Sequence, residues 1–235
     1  MATDYVADHR ARVVSTQDEA RRAFAGTPLL VTATDQTGGR GRRGASWLNA
    51  TRALAASLAF RPAWPDEQVP LVTLVAGLAA QRTLGSGLLL KWPNDLVRDD
   101  GRKVAGLLAE RTADVVVMGM GVNLYWPDAP PGMAGLYADD PGDGVGTVLA
   151  ESWARRLLEE TAAGPGSWDP GAYIAVSATV GTTVTWDGGG PGDAIGVDDS
   201  GGLIVRTRDG SRVLRSGEVR TVRTTTLSED SAGEG

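Results

Sequence analysis

Three apolar runs between residues 87 and 124, GLLLKW, KVAGLLAERT and DVVVMGMGVNL, limit the fold more than any other feature, because only VRDDGR and Ala113-Asp114 join them. Parallel neighbours need a crossover of about a dozen residues or more, usually a helix, whereas antiparallel strands turn back within a few. The runs must therefore pair largely antiparallel. The expected class is α+β, a mixed, largely antiparallel sheet with flanking helices, rather than a doubly wound nucleotide fold.

The remaining segments supply the helices and a second unit. In STQDEARRAFAG, Thr16 can cap the first-turn amides while Glu19 reaches back, so a short helix starts there and ends at Gly26. From Val69 to Leu84 apolar residues recur at helical spacing (Leu71, Leu74, Val75, Leu78, Ala79), predicting one buried helix, and VLAESWARRLLEET predicts another. PLLVTATDQ and ALAASLAF read as strands, and residues 127–146, rich in Pro, Gly and Asp, as a long surface loop. From Val180 onward the chain has only short β-like runs between glycine-rich turns, as in a small β-barrel. The expected organisation is a main domain over residues 1–178, a barrel over 179–227 and a frayed polar tail over 228–235.

Composition excludes several chemistries. With 23 basic and 29 acidic residues the formal net charge is −6, so the chain should repel polyanions, and no nucleic-acid partner is expected. The absence of cysteine excludes disulfides, thiolate nucleophiles and sulfur-built zinc sites. His9, the sole histidine, lies near a terminus expected to be mobile and reads as solvated, so no Ser-His machinery is expected. No run approaches the roughly 20 apolar residues of a membrane span. The first 30 residues hold no signal-like stretch, so no membrane association and a cytoplasmic location are expected.

Four short stretches carry the chemistry. In TGGRGRRGASW, Gly38, Gly39, Gly41 and Gly44 let backbone N–H groups approach an anion. Arg40, Arg42 and Arg43 lie there in a window free of acidic residues from Asp35 to Asp66. Such a loop is costly to order and is expected to move until a ligand supplies the charge. It is not a Walker cradle, since no Gly-Lys-Ser/Thr follows, and one copy is too short for an arginine-glycine nucleic-acid binder. KWPNDL puts Asn94 and Asp95 at a turn after a strand, GRKVAGLLAE puts Lys103 at the start of the returning strand with Gly106 open to close approach, and GMGVNL ends a strand with Gly119, Gly121 and Asn123. Lys91 and Lys103 are the only lysines in the chain, and each falls inside one of these motifs.

In this order and at these separations, GRGRRGASW, KWPNDL, KVAGLLAE and GMGVN resemble the biotin protein ligase family, and the likeness runs from Ser15 to the GEV near Gly217. The resemblance implies a class II synthetase-like catalytic domain with an SH3-like barrel. It also implies a reaction in which biotin attacks the α-phosphate of ATP, giving biotinyl-5'-AMP and pyrophosphate, and a lysine of a biotin carboxyl carrier domain of an acyl-CoA carboxylase then takes the biotinyl group. The residues suit this chemistry on physical grounds. Anion meets anion, so clustered arginines and a lysine supply the stabilisation the transition state needs, and the carboxylate nucleophile is already ionised at pH 7.

Carried onto matching positions, the family's pattern assigns Ser15, Thr16 and Gln36 to the ureido end of biotin. Gly39, Arg40, Lys103 and Gly106 fall to the biotin carboxylate side. Arg42, Arg43, Trp47, Asn94, Lys103, Asn123 and Arg223 fall to ATP or the adenylate. Lys103, Arg42 and Asp95 form the catalytic set. Lys103 bridges the biotin carboxyl oxygen and the α-phosphate, while Asp95 positions Mg2+ or accepts the proton of the acceptor lysine. Lys91 is given a supporting role, either ion-pairing near Asp95 or steering phosphate. Gln17 departs from the family, which usually has asparagine there, and the closing GEVRTVR leaves Arg220 as the alternative to Arg223. Only 14 residues precede Ser15, so a form without the winged helix-turn-helix is expected, as a monomer or weak homodimer. The rivals are a lipoate- or octanoate-transferring enzyme of the same fold class and a non-enzymatic RNA-binding protein.

Overall fold

The structure, a computed structural model, describes residues 4–215 and 219–221. In chain order its first elements are β1 (Val6–Val13), α1 (Thr16–Ala23), β2 (Leu29–Gln36), β3 (Arg52–Phe60) and α2 (Val72–Leu84). Then follow β4 (Leu89–Lys91), β5 (Asp95–Val97), β6 (Lys103–Thr112), β7 (Val115–Tyr125), α3 (Val145–Ala162) and α4 (Pro170–Ala175). The first seven strands form one mixed sheet in the order β1-β2-β3-β7-β6-β5-β4. Only β1 and β2 pair in parallel; every other pair in this sheet is antiparallel, and for β4–β5, β5–β6 and β6–β7 the short connections require it.

Strand alternation sorts this sheet into two faces. Leu54, Ala56, Leu58 and Phe60 of β3, with Met118, Met120 and Val122 of β7, belong to the core shared with α2 and α3. Trp153 of α3 is fully buried and donates Nε1–H to the Ala76 carbonyl at 3.2 Å, tying the two helices together. The other face carries small residues: Ala55, Ser57 and Ala59 on β3 stand opposite Gly121, Gly119 and Val117 of β7. One end of this face is covered by α1, whose Ala20 packs with Leu29, Val31, Ala59 and Val117. The rest, floored by glycines, is left open.

The second sheet holds β8 (Thr183–Trp186), β9 (Gly189–Val197), β10 (Leu203–Thr207), β11 (Gly210–Leu214) and β12 (Val219–Thr221), antiparallel in the order β11-β10-β9-β8-β12. It adjoins the first: Trp92 donates its ring N–H to the Gly201 carbonyl at 3.0 Å, and Val184, Ala194, Leu203 and Val205 continue the main core. Among the described residues no helix is long and apolar enough to cross a membrane.

Several sequence-based expectations need correction. Residues 6–13 are an edge strand rather than a mobile terminus, and His9 meets Thr32 Oγ1 at 2.7 Å and Glu151 at 3.0 Å rather than water alone. The cap of α1 is Ser15, which accepts from the Asp18 amide, while Thr16 lies inside the helix and Glu19 pairs with Arg10 and Arg22. The predicted helix over 69–84 begins with a 3-10 turn at Val69–Leu71, because Pro70 lacks the N–H and fixes φ, and the α-helix starts only at Val72. Asp95 opens β5 rather than sitting in a turn, paired in register with Lys91 across a tight hairpin.

Candidate active site

The open end of the sheet is a cavity of about 650 Å³. Its floor is made from glycines of the two central strands, Gly106 of β6 opposite Gly121 of β7. A Cβ on Gly121 would stand 2.7 Å from Trp47 Cζ2 and 2.8 Å from Cε2, and one on Gly106 would stand 3.2 Å from Trp47 Cζ3. These glycines are therefore what lets the indole lie flat on the strands. Gly39 sits just behind it, its Cβ position 2.9 Å from that of Trp47.

Trp47 is brought there by the glycine-arginine stretch, which forms a small hairpin. Gly41 N–H donates to the Ala45 carbonyl at 2.6 Å and Trp47 N–H to the Gly39 carbonyl at 3.0 Å. At the tip Arg43 has φ 58°, the left-handed conformation, next to Gly44. Each arginine meets an acceptor of the protein itself. Arg40 forks onto both oxygens of Asp18 at 2.8 Å, and this fork, joined by Arg21, holds the Asp18 carboxyl down at about 2. Arg43 pairs with Asp187 of the second sheet's β8–β9 turn. Arg42 donates to Asn94 Oδ1 at 3.1 Å, and burial pulls its pKa below the usual guanidinium value against the opposing pull of Asp95.

Gly121→Ala is expected to expel the indole, since overpacking costs about 1–3 kcal/mol and the loop is the softest neighbour. Hydrogen exchange of the Gly41 and Trp47 amides should then quicken about tenfold or more, with the β6 and β7 amides unchanged. Unaltered exchange in the loop would contradict this packing.

Two chemically distinct ends follow from these contacts. At the uncharged end, Thr16 donates both its amide N–H (2.8 Å) and its hydroxyl (3.0 Å) to Gln36 Oε1, and its Oγ1 lies 2.8 Å from Ser57 Oγ. At the charged end, Lys103 Nζ is 2.7 Å from Asp95 Oδ1 and 5.5 Å from the centre of the Trp47 ring. Asp95 is thus paired with Lys103, not with Lys91, which lies outside the cavity lining. Asn123 is fully buried beside Lys103. Its amide nitrogen is 3.4 Å from the Lys103 carbonyl and 3.3 Å from the Ala134 carbonyl, and its Oδ1 has no partner.

The cavity thus brings together Ser15, Thr16, Gln36, Arg40, Arg42, Arg43, Trp47, Asn94, Asp95, Lys103, Gly106 and Asn123 from the sequence-based set. Gly39 stands behind the lining, Arg220 lies on β12, and Arg223 lies outside the described residues. Sequence reasoning missed Ser57, Trp126 and Met133. Ser57 had a signal, being the one polar residue inside ALAASLAF. Met133 had none, because its place depends on the 127–146 loop folding back, where Lys103 N–H donates to the Gly132 carbonyl and Ala134 N–H to the Lys103 carbonyl, each at 2.8 Å.

Known proteins resemble this chain over most of its length. Residues 10–123 match the Biotin/lipoate A/B protein ligase family. A biotin--[acetyl-CoA-carboxylase] ligase of Paracoccus denitrificans is 33% identical over 240 residues, spanning 89% of this chain and 98% of that protein. Its counterpart in Mycobacterium tuberculosis is 31% identical over 225 residues, 86% of this chain and 83% of that one. The biotin protein ligase from Aquifex aeolicus in complex with biotin and ATP shares the fold, with a TM-score of 0.78 at 24% identity over 93% of this chain and 99% of that one.

Proposed function

This chain belongs to the biotin protein ligase family, and on that premise we infer that it activates biotin with ATP and passes it to a carrier protein. A biotin carboxylate oxygen bonds to the α-phosphorus of ATP and the bond to the β-phosphate bridging oxygen breaks, releasing pyrophosphate. The ε-amine of a carrier lysine then bonds to the acyl carbon of biotinyl-5'-AMP, AMP leaves with the bonding electrons, and the amine loses a proton. The observation that carries this reading is one cavity with an uncharged hydrogen-bonding end (Ser15, Thr16, Gln36) and a cationic end (Arg42, Lys103). One end suits a cyclic urea, the other a carboxylate meeting a phosphate.

We propose the following roles within that reaction. Lys103 is the point charge between carboxylate and α-phosphate, oriented by Asp95; Arg42 and Arg43 border the phosphates; Asn94 supports Arg42. Asn123 offers its unpartnered Oδ1 to the amino group of adenine, and Trp47 covers the ligand. Arg40 acts through its backbone, since its guanidinium is taken by Asp18. Among the described residues no cluster of three or more His, Cys, Asp or Glu could hold a metal. Mg2+ would enter on phosphate oxygens, and Asp95 is the carboxylate that lines the cavity among the described residues. Two domains, 1–178 and 179–227, a monomer or weak homodimer and a cytoplasmic location complete the proposal.

The test is pyrophosphate exchange into ATP with magnesium and either biotin or lipoate. Exchange that depends on biotin is expected. Exchange with lipoate alone, or with neither, would overturn the reading in favour of an acyl-transferring relative or a non-enzymatic protein.

A further inference from the structure

Between β7 and α3 the chain runs back across the sheet, and residues 132–137 form a strap over the ends of both central strands. Beside β6, the Lys103 amide donates to the Gly132 carbonyl and the Ala134 amide to the Lys103 carbonyl, each at 2.8 Å. Beside β7, the Leu136 amide donates to the Asn123 carbonyl at 2.7 Å and the Tyr137 amide to the Leu124 carbonyl at 2.9 Å. The strap thus grips the backbone of Lys103 and Asn123, and its Met133 lines the cavity. It lies so close to β7 that a Cβ on Gly135 would stand 2.9 Å from the Trp126 nitrogen and 3.2 Å from Tyr125 Cα.

One side chain outside the cavity fastens the strap where it crosses from β6 to β7. Arg98, just past β5, donates from Nη2 to the Gly135 carbonyl at 2.7 Å, with the Leu136 carbonyl at 3.4 Å. Among the described residues neither oxygen has another donor. Gly135 is buried, so its carbonyl would be left without water as well as without Arg98, and a charged donor makes the stronger bond. Farther along the same connection Arg52 forks onto Asp140 and reaches Asp143 at 2.7 Å, but that cluster is open to solvent and adds little. We propose that Arg98 is a positioning residue for adenylate formation, which rests on the biotin-activating reading: by pinning the strap it keeps Lys103 and Met133 in place at the end that receives the nucleotide. It touches no substrate. The uncharged end stands on α1, β2 and β3 and does not depend on it.

The test compares the full chain with Arg98→Met, by hydrogen exchange without ligands and by biotin-dependent pyrophosphate exchange. Methionine keeps an apolar stem and removes Nε, which is buried without a hydrogen-bond partner, so the fold should hold. The Ala134, Leu136 and Tyr137 amides should exchange about 10–100-fold faster, the loss of one charged hydrogen bond, while the β2 and β3 amides stay unchanged. The KM for ATP should rise at least about threefold, because only the pinned strap is competent, while the KM for biotin and the maximal rate stay within about twofold. Arg98→Lys, which keeps the charge but not the planar fork, should recover part of the KM for ATP. Unchanged strap exchange overturns the clamp; faster exchange with an unmoved KM for ATP, or equal rises in both KM values, overturns the positioning role. Should Arg98→Met fail to fold, Arg98→Gln is read by the same outcomes. An unaltered protein without biotin-dependent exchange would instead sink the functional reading and the positioning role with it, leaving strap exchange to decide whether Arg98 pins the strap.

Discussion

Lys103→Ala is expected to lower biotin-dependent pyrophosphate exchange by about 10²–10³-fold, the usual cost of removing one preorganised donor from a charge-developing transition state. The side chain is only partly buried, 25% exposed, and among the described residues its one ion-pair partner is Asp95, so the fold should survive. The midpoint of thermal unfolding should stay within a few degrees, measured alongside the rate. Lys103→Arg should recover little, because a planar fork cannot replace a compact ammonium seated against the Trp47 ring and the Asp95 carboxylate. Near-normal exchange in Lys103→Ala would show that the charge between carboxylate and phosphate comes from Arg42 instead.

Trp153→Ala is expected to be the most destabilising single truncation. The indole is fully buried between the helices of α3 and α2 and its N–H is satisfied by the Ala76 carbonyl. Removing it leaves a cavity under the sheet and an acceptor without its donor, about 3–5 kcal/mol for a tryptophan in a well-packed core. For a chain of this size that corresponds to a fall of about 6–20 °C in the unfolding midpoint. The loss is expected even with biotin and ATP present, though smaller by whatever the ligands add through binding the native state. A fall of under about 2 °C would mean that the helices repack and that the indole is not what holds them to the sheet.

Between these two residues lies the difference between what could be read early and what could not. Lys103, Asp95 and the arginines were legible because each falls in a short motif whose residue types suit a carboxylate meeting a phosphate, and because lysine occurs at only two positions. Their pairing was not legible. Lys91 is closer to Asp95 along the chain and stands directly across the hairpin from it. Neighbouring strands, however, place Asp95 opposite Gly106, and with no side chain there Lys103 reaches over the gap. The polar edge strand β1 escaped notice because charged, half-exposed residues such as Asp8, Arg10 and Arg12 carry no period-two apolar signal.

The sequence by itself determined the fold class, since connections of a few residues between β-runs admit only antiparallel pairing. It also narrowed the chemistry, since a chain with no cysteine and one histidine offers no sulfur or Ser-His machinery, while a Gly-Arg loop and two motif-bound lysines suit charge stabilisation. Tertiary structure alone decided that Trp47 lies on Gly106 and Gly121, that Ser57 completes the uncharged end, and that Arg98 meets the carbonyls of Gly135 and Leu136. The reason is that those contacts join residues tens of positions apart, and which side chain meets which gap depends on strand register, a property of the assembled sheet and not of any one segment.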